Sequence, residues 1–94
     1  MEYTKGEWTV IQDEASALTI ISGTKYVAKT SKAISRQDHL EVQDNARLIA
    51  AAPQMYEALK ALVPIIESFT PYQRKRPEVL RAIEALAKAE GKQG

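Results

Sequence analysis

Apolar positions in the first third of the chain alternate with a period of two; beyond residue 35 they recur every three or four residues. That change of period predicts strands followed by helices. Gly6 to Gln12 reads as a strand, with Trp8 and Val10 on one face and Thr9 and Ile11 on the other. Asp13 to Ser16 is a polar connection of hairpin length. Ala17 to Ser22 is a second strand rich in β-branched residues, and Gly23-Thr24 is a turn. Lys25 to Thr30 is a third strand, with Tyr26 and Ala28 on one side and Val27 on the other. Short links between consecutive strands predict an antiparallel meander over residues 1–32. So small a sheet needs an apolar layer across one face. Trp8, the largest hydrophobic side chain, is the expected centre of that face; a ligand-stacking role is the less economical reading.

Residues 33–94 form the helical part. Ser31 to Ser35 is a linker, and Ser35 with Asp38 three residues on resembles a capping box. From Arg36 to Ala51 the pattern is helical: Val42, Ala46, Ile49 and Pro53 fall on one stripe, with Leu48 and Ala52 beside it. Pro53 lacks an N–H and its ring opposes the carbonyl of Ile49, which predicts a break or sharp kink near Ala51-Ala52, with Pro53 at the first turn of the next helix. That second helix, to Phe69, has a wide apolar arc through Met55, Leu59, Leu62, Val63 and Ile66. A wide arc implies contact with both the sheet and another helix, or with a second subunit. Pro64 predicts a kink over Lys60–Val63, or a stop and restart. Thr70 to Pro77 is a loop. Pro77 opens a third helix, whose stripe is Val79, Leu80, Ile83, Leu86 and Ala87, and Gly91 stops it. The pattern specifies a single domain over 1–94 of α+β class: a three-stranded antiparallel β-meander followed by two or three packed α-helices.

Composition narrows the chemistry. The 94 residues are 45% apolar and 27% charged, ordinary for a folded soluble domain. The absence of cysteine excludes disulfides and thiol chemistry and fits a reducing cytoplasm. No apolar run reaches the roughly 20 residues of a membrane span, and the N-terminus has no signal-peptide core, so no membrane partner is expected. Net charge is +1, which gives no global attraction to nucleic acid. The distribution is uneven: residues 71–94 hold six Lys/Arg against three Asp/Glu, whereas 41–70 hold two against four.

The run Asn45-Ala46-Arg47-Leu48-Ile49-Ala50-Ala51-Ala52-Pro53, continued by Met55-Tyr56-Glu57-Ala58-Leu59-Lys60-Ala61-Leu62, resembles a segment of small accessory proteins of tailed bacteriophages and prophages. Those proteins often open with a strand of the Gly6-Glu7-Trp8-Thr9-Val10 type. Where they usually continue Pro-Glu-Leu-Leu-Glu-Ala-Leu, this chain has Gln54, Met55 and Tyr56. The resemblance covers roughly residues 5–12 and 42–62. It implies a context, an accessory phage product in a bacterial host cytoplasm, and no reaction that transfers residue by residue. Within it the alanines permit close backbone approach, Pro53 sets a helix angle, and Asn45 and Arg47 are expected to be structural, Asn45 bonding to backbone in the preceding strand or linker and Arg47 pairing with Asp44, Glu41 or a neighbouring element.

Candidate chemistry is sparse. His39, the single histidine, neighbours Asp38 on a helix, where adjacent side chains point about 100° apart and do not form an acid–base couple. One His without Cys leaves zinc short of ligands, so no metal or cofactor is expected. No serine has a nucleophile-elbow context and no glycine-rich phosphate loop is present. The expected protein is not an enzyme. The best exposed group is Tyr72, Arg74, Lys75 and Arg76, which suits an acidic protein patch or, alternatively, phosphates with Tyr72 stacking on a base; a merely solvated loop is the plainer reading. Lys25, Lys29 and Lys32 form a secondary basic edge that guards a strand against aggregation. Three functions follow. The leading one is a phage accessory protein that binds a host or antiviral-defence protein, with a homodimer or higher oligomer compatible with its apolar arc. The others are a nucleic-acid or nucleotide binder through residues 72–76, and a structural or assembly component.

Overall fold

A computed structural model describes residues 1–12, 17–30 and 35–92. The hairpin connection 13–16, the linker residues 31–34 with Lys32, and residues 93–94 lie outside the described residues. Strands β1 (Thr9–Gln12), β2 (Leu18–Ser22) and β3 (Lys25–Lys29) precede helices α1 (Arg36–Glu67), α2 (Pro71–Arg74) and α3 (Pro77–Ala89). This is the α+β order that the change of period predicts. The chain divides into two compact units, Glu2–Pro53 and, with Met1, Gln54–Gly94, so α1 contributes turns to both.

In the first unit the sheet order is β1-β2-β3, antiparallel throughout. Thr9 opposes Ile21 and Gln12 opposes Leu18. Ser22 opposes Lys25 across the two-residue turn, where Gly23 takes φ +61°, open to glycine at little cost. Thr30 prolongs the β2–β3 ladder, since its N–H donates to Leu18 O at 2.8 Å and its Oγ1 accepts from Leu18 N at 2.9 Å. Ile20 opposes Ala28 whereas Ile21 opposes Tyr26, so β3 carries one extra residue there. Tyr26 and Ala28 therefore do not share a face, contrary to simple alternation. Tyr26 is 76% exposed.

The centre of this unit is the middle strand, not Trp8. Ala17, just before β2, and Thr19 and Ile20 within it are buried, Ile20 completely, and β2 is the strand with a neighbour on each edge. From α1, Ala46 is also completely buried. Trp8 lies before β1, which begins at Thr9 rather than Gly6, and is half-buried. Its indole N–H donates to Thr4 O at 2.9 Å, and its ring meets Tyr3 edge-on at 6.4 Å between centroids. Lys5 Nζ stands 3.7 Å from the Tyr3 centroid. The tryptophan thus clasps the N-terminal segment, giving its polar edge a partner as a half-buried indole requires.

Helix α1 starts where expected: the Ser35 hydroxyl accepts the Asp38 N–H at 3.1 Å. It then runs without interruption to Glu67, through both Pro53 and Pro64. The predicted break and restart do not occur. Each proline deletes one donor, leaving the carbonyls of Ile49 and Lys60 without their helical partner, and costs about 3 kcal/mol against alanine. Alanine, leucine, methionine, glutamate and lysine crowd the surrounding turns, and their propensity with cooperative propagation carries the helix across both sites.

In the second unit Tyr56 of α1 and Leu86 of α3 are the buried apolar residues, with Leu59, Val63, Ile66 and Val79 half-buried. Helix α3 ends as its sequence predicts. Gly91, at φ +76°, donates to Lys88 O at 3.1 Å, and Lys92 N–H reaches back to Ala87 O at 2.8 Å. These two bonds make a Schellman cap and require the left-handed glycine.

Candidate functional site

The stretch read as a loop from Thr70 to Pro77 folds into the short helix α2, fixed by a reciprocal cap. Gln73 N–H donates to Thr70 Oγ1 at 3.2 Å, and Thr70 N–H donates to Gln73 Oε1 at 2.9 Å. Pro71 sits at the first helical position, where its missing N–H has no cost. The corner closes on itself: Lys75 N–H bonds Tyr72 O and Arg76 N–H bonds Gln73 O at 3.2 Å. On this frame the four candidate residues separate by role. Tyr72 is 83% exposed and adds nothing to the core. Lys75 is exposed beside it. Arg74 is exposed but tied back to the chain, its Nε donating to Phe69 O at 3.0 Å. Arg76 lies 3.6 Å from Glu78 at the start of α3, an exposed pair of little energetic weight.

Arg74 also lines a groove of about 430 Å³ between α1 and α3. Val63, Ile66, Ile83 and Leu86 form its apolar walls, and Glu67, Glu90 and Lys92 add charge. At this end of the unit stands a contact that sequence reasoning missed. Tyr56 Oη donates to Glu90 Oε2 at 2.7 Å, and Lys92 Nζ lies 3.3 Å from Glu90 Oε1. The Tyr56 hydrogen bond, then that of Lys92, holds the Glu90 carboxyl below its ordinary range. The same bond to Glu90, with desolvation, raises the Tyr56 hydroxyl. Lys60 Nζ sits 5.5 Å from the Tyr56 ring centroid. The partners are 34 positions apart, and no local pattern pairs them.

The remaining candidates are scattered. Lys25 and Lys29 are exposed on β3, and Lys29 lines a shallow depression of the sheet with Ile11, Thr19 and Tyr26. Lys32 lies outside the described residues. Arg47 pairs with Asp44 at 3.3 Å, as its spacing suggests, and Asn45 is exposed. His39 is exposed on the first turns of α1. Among the described residues no group of three His, Asp or Glu could hold a metal ion, and no helix is long and apolar enough to cross a membrane.

The family model described as Salmonella phage P22 protein Y8K6 matches residues 1–93, almost the whole chain. Neither a curated protein nor a solved structure matches.

Proposed function

Because the chain belongs to the Salmonella phage P22 protein Y8K6 family, we propose that this phage protein acts without catalysis, as an accessory factor that binds a host or antiviral-defence protein. The contact surface is the α2 corner. One observation carries the reading: Tyr72 stands 83% exposed on a four-residue helix locked by the Thr70–Gln73 cap. A large aromatic in water does nothing for the fold, and because the cap already fixes the backbone beneath it, only its side-chain rotamers remain to be ordered when a partner covers it. Tyrosine and arginine are the side chains that dominate interface hot spots. Lys75 and Arg76 beside it favour an acidic partner surface. Arg74, tied to Phe69 O, is a positioning residue that fixes the corner.

The experiment compares the wild type with Tyr72→Ala and Lys75→Glu as bait in lysate of the bacterial host, followed by binding measurements on the protein recovered. A partner retained by the wild type and lost by both variants, at unchanged circular dichroism, supports the reading. Equal retention by all three removes the corner from the interface. Binding of a DNA or RNA oligonucleotide at low salt, abolished by Lys75→Glu, would favour nucleic acid instead.

A further inference from the structure

Within the second unit, helix α1 shows two apolar faces. Tyr56, Leu59, Val63 and Ile66 form the more buried one. Beside it, Met55, Ala58, Leu62 and Ile65 recur at three- and four-residue steps and remain open: Met55 is 45% exposed, Leu62 44% and Ile65 53%, and Ala58 is exposed as well. At about 100° per residue, the charged Glu57, Lys60 and Glu67 all lie roughly 120° or more away from the centre of this stripe. Its neighbours on the open side are Gln54 and Ala61, both uncharged. A solvated helix face does not normally exclude every charge while retaining three large apolar side chains.

We infer that this face is the interface with a second copy of the chain, paired antiparallel about a two-fold axis at the level of residue 60. Such an axis sets Met55 against Ile65 and Ala58 against Leu62 of the second copy, each contact occurring twice. The smallest residue then always faces a large one, the alternation that fills a helix–helix seam. Parallel pairing instead puts Ala58 against itself and leaves a gap beside a Leu62–Leu62 contact. The lack of charge on the stripe suits self-association, because a two-fold axis brings like groups near each other. A face of four residues with its rim is at or below the size of a standard interface, so the dimer is expected to be weak and concentration-dependent.

Sedimentation velocity over a micromolar-to-millimolar series tests the pairing. The wild-type mass doubles across the series, and Tyr72→Ala leaves that behaviour unchanged, since the α2 corner is a separate surface. Ala58→Glu, at an exposed helical position, keeps the circular dichroism spectrum and raises the dissociation constant roughly a hundredfold or more, because it places a carboxylate against Leu62 of the second copy. The absence of cysteine permits a check of direction. On oxidation, Met55→Cys mixed with Ile65→Cys forms the mixed disulfide, while Met55→Cys alone does not self-link, its two copies lying about 15 Å apart along the axis. A wild type monomeric at millimolar concentration, a dimer indifferent to Ala58→Glu, or efficient self-linking of Met55→Cys would each overturn the inference.

Discussion

Replacing Pro53 by alanine separates a continuous α1 from a broken one. In the interior of a helix, proline costs about 3 kcal/mol relative to alanine, through the lost N–H and the clash of its ring with the carbonyl four residues back. Here that carbonyl belongs to Ile49. Two smaller terms oppose the gain. Alanine leaves the unfolded chain freer, at about 0.4–1 kcal/mol. Removing two ring methylenes from a half-buried site gives up about 0.8 kcal/mol more. The balance is a stabilisation of about 1–2 kcal/mol. For a chain of this size each kcal/mol moves Tm by about 4–8 °C. Thermal and urea melts followed by circular dichroism at 222 nm should therefore show Pro53→Ala melting roughly 5–15 °C above the wild type, with equal or greater helicity. If Pro53 instead occupied the first turn of a separate helix, alanine would remove a favourable residue and stability would hold level or fall. A neutral or destabilised Pro53→Ala would refute the account of α1 given above.

The core and the Tyr56–Glu90 pair give further expectations. Ile20→Ala should lower stability by about 2–5 kcal/mol in urea titration, since Ile20 is completely buried at the centre of the sheet; the same change at exposed Val10 should cost far less. Glu90 has its carboxyl held low in the folded state, so its contribution is complete above the ordinary value of 4.5 and fades as pH falls through the lowered folded value. Tyr56, raised in the folded state, contributes fully below 10.0 and loses that contribution as pH climbs through the raised value. Thermal melts of Glu90→Gln and Tyr56→Phe across pH should show a flatter acid limb for the first and a flatter alkaline limb for the second; wild-type slopes in either would show that the bond does not link to folding.

Local pattern carried most of the architecture. The period-two runs, Gly23 and the Ser35–Asp38 start are decided by sterics and hydrogen bonding within a few residues, and the strands, their order and the α1 start follow from them. Pro77 and Gly91 bound α3 for the same reason. The resemblance around Asn45–Pro53 likewise pointed to phage proteins, and the family match over residues 1–93 supports that context. Local rules overstated Pro53 and Pro64, since a proline penalty is fixed per residue while propagation through the favourable turns around it is cooperative. They also gave Trp8 the centre of the sheet on size alone.

What the chain fixed by itself, then, is the order and type of its elements, because those depend on neighbours in sequence. Tertiary structure alone decided which strand is enclosed, that β3 gains a residue opposite Ile20–Ile21, and that Tyr56 meets Glu90 at 2.7 Å. It also decided that Arg74 is tied to Phe69 O while Tyr72 is left in water. Burial and long-range hydrogen bonds depend on which surfaces meet, and that is a property of the folded chain rather than of any window of its sequence.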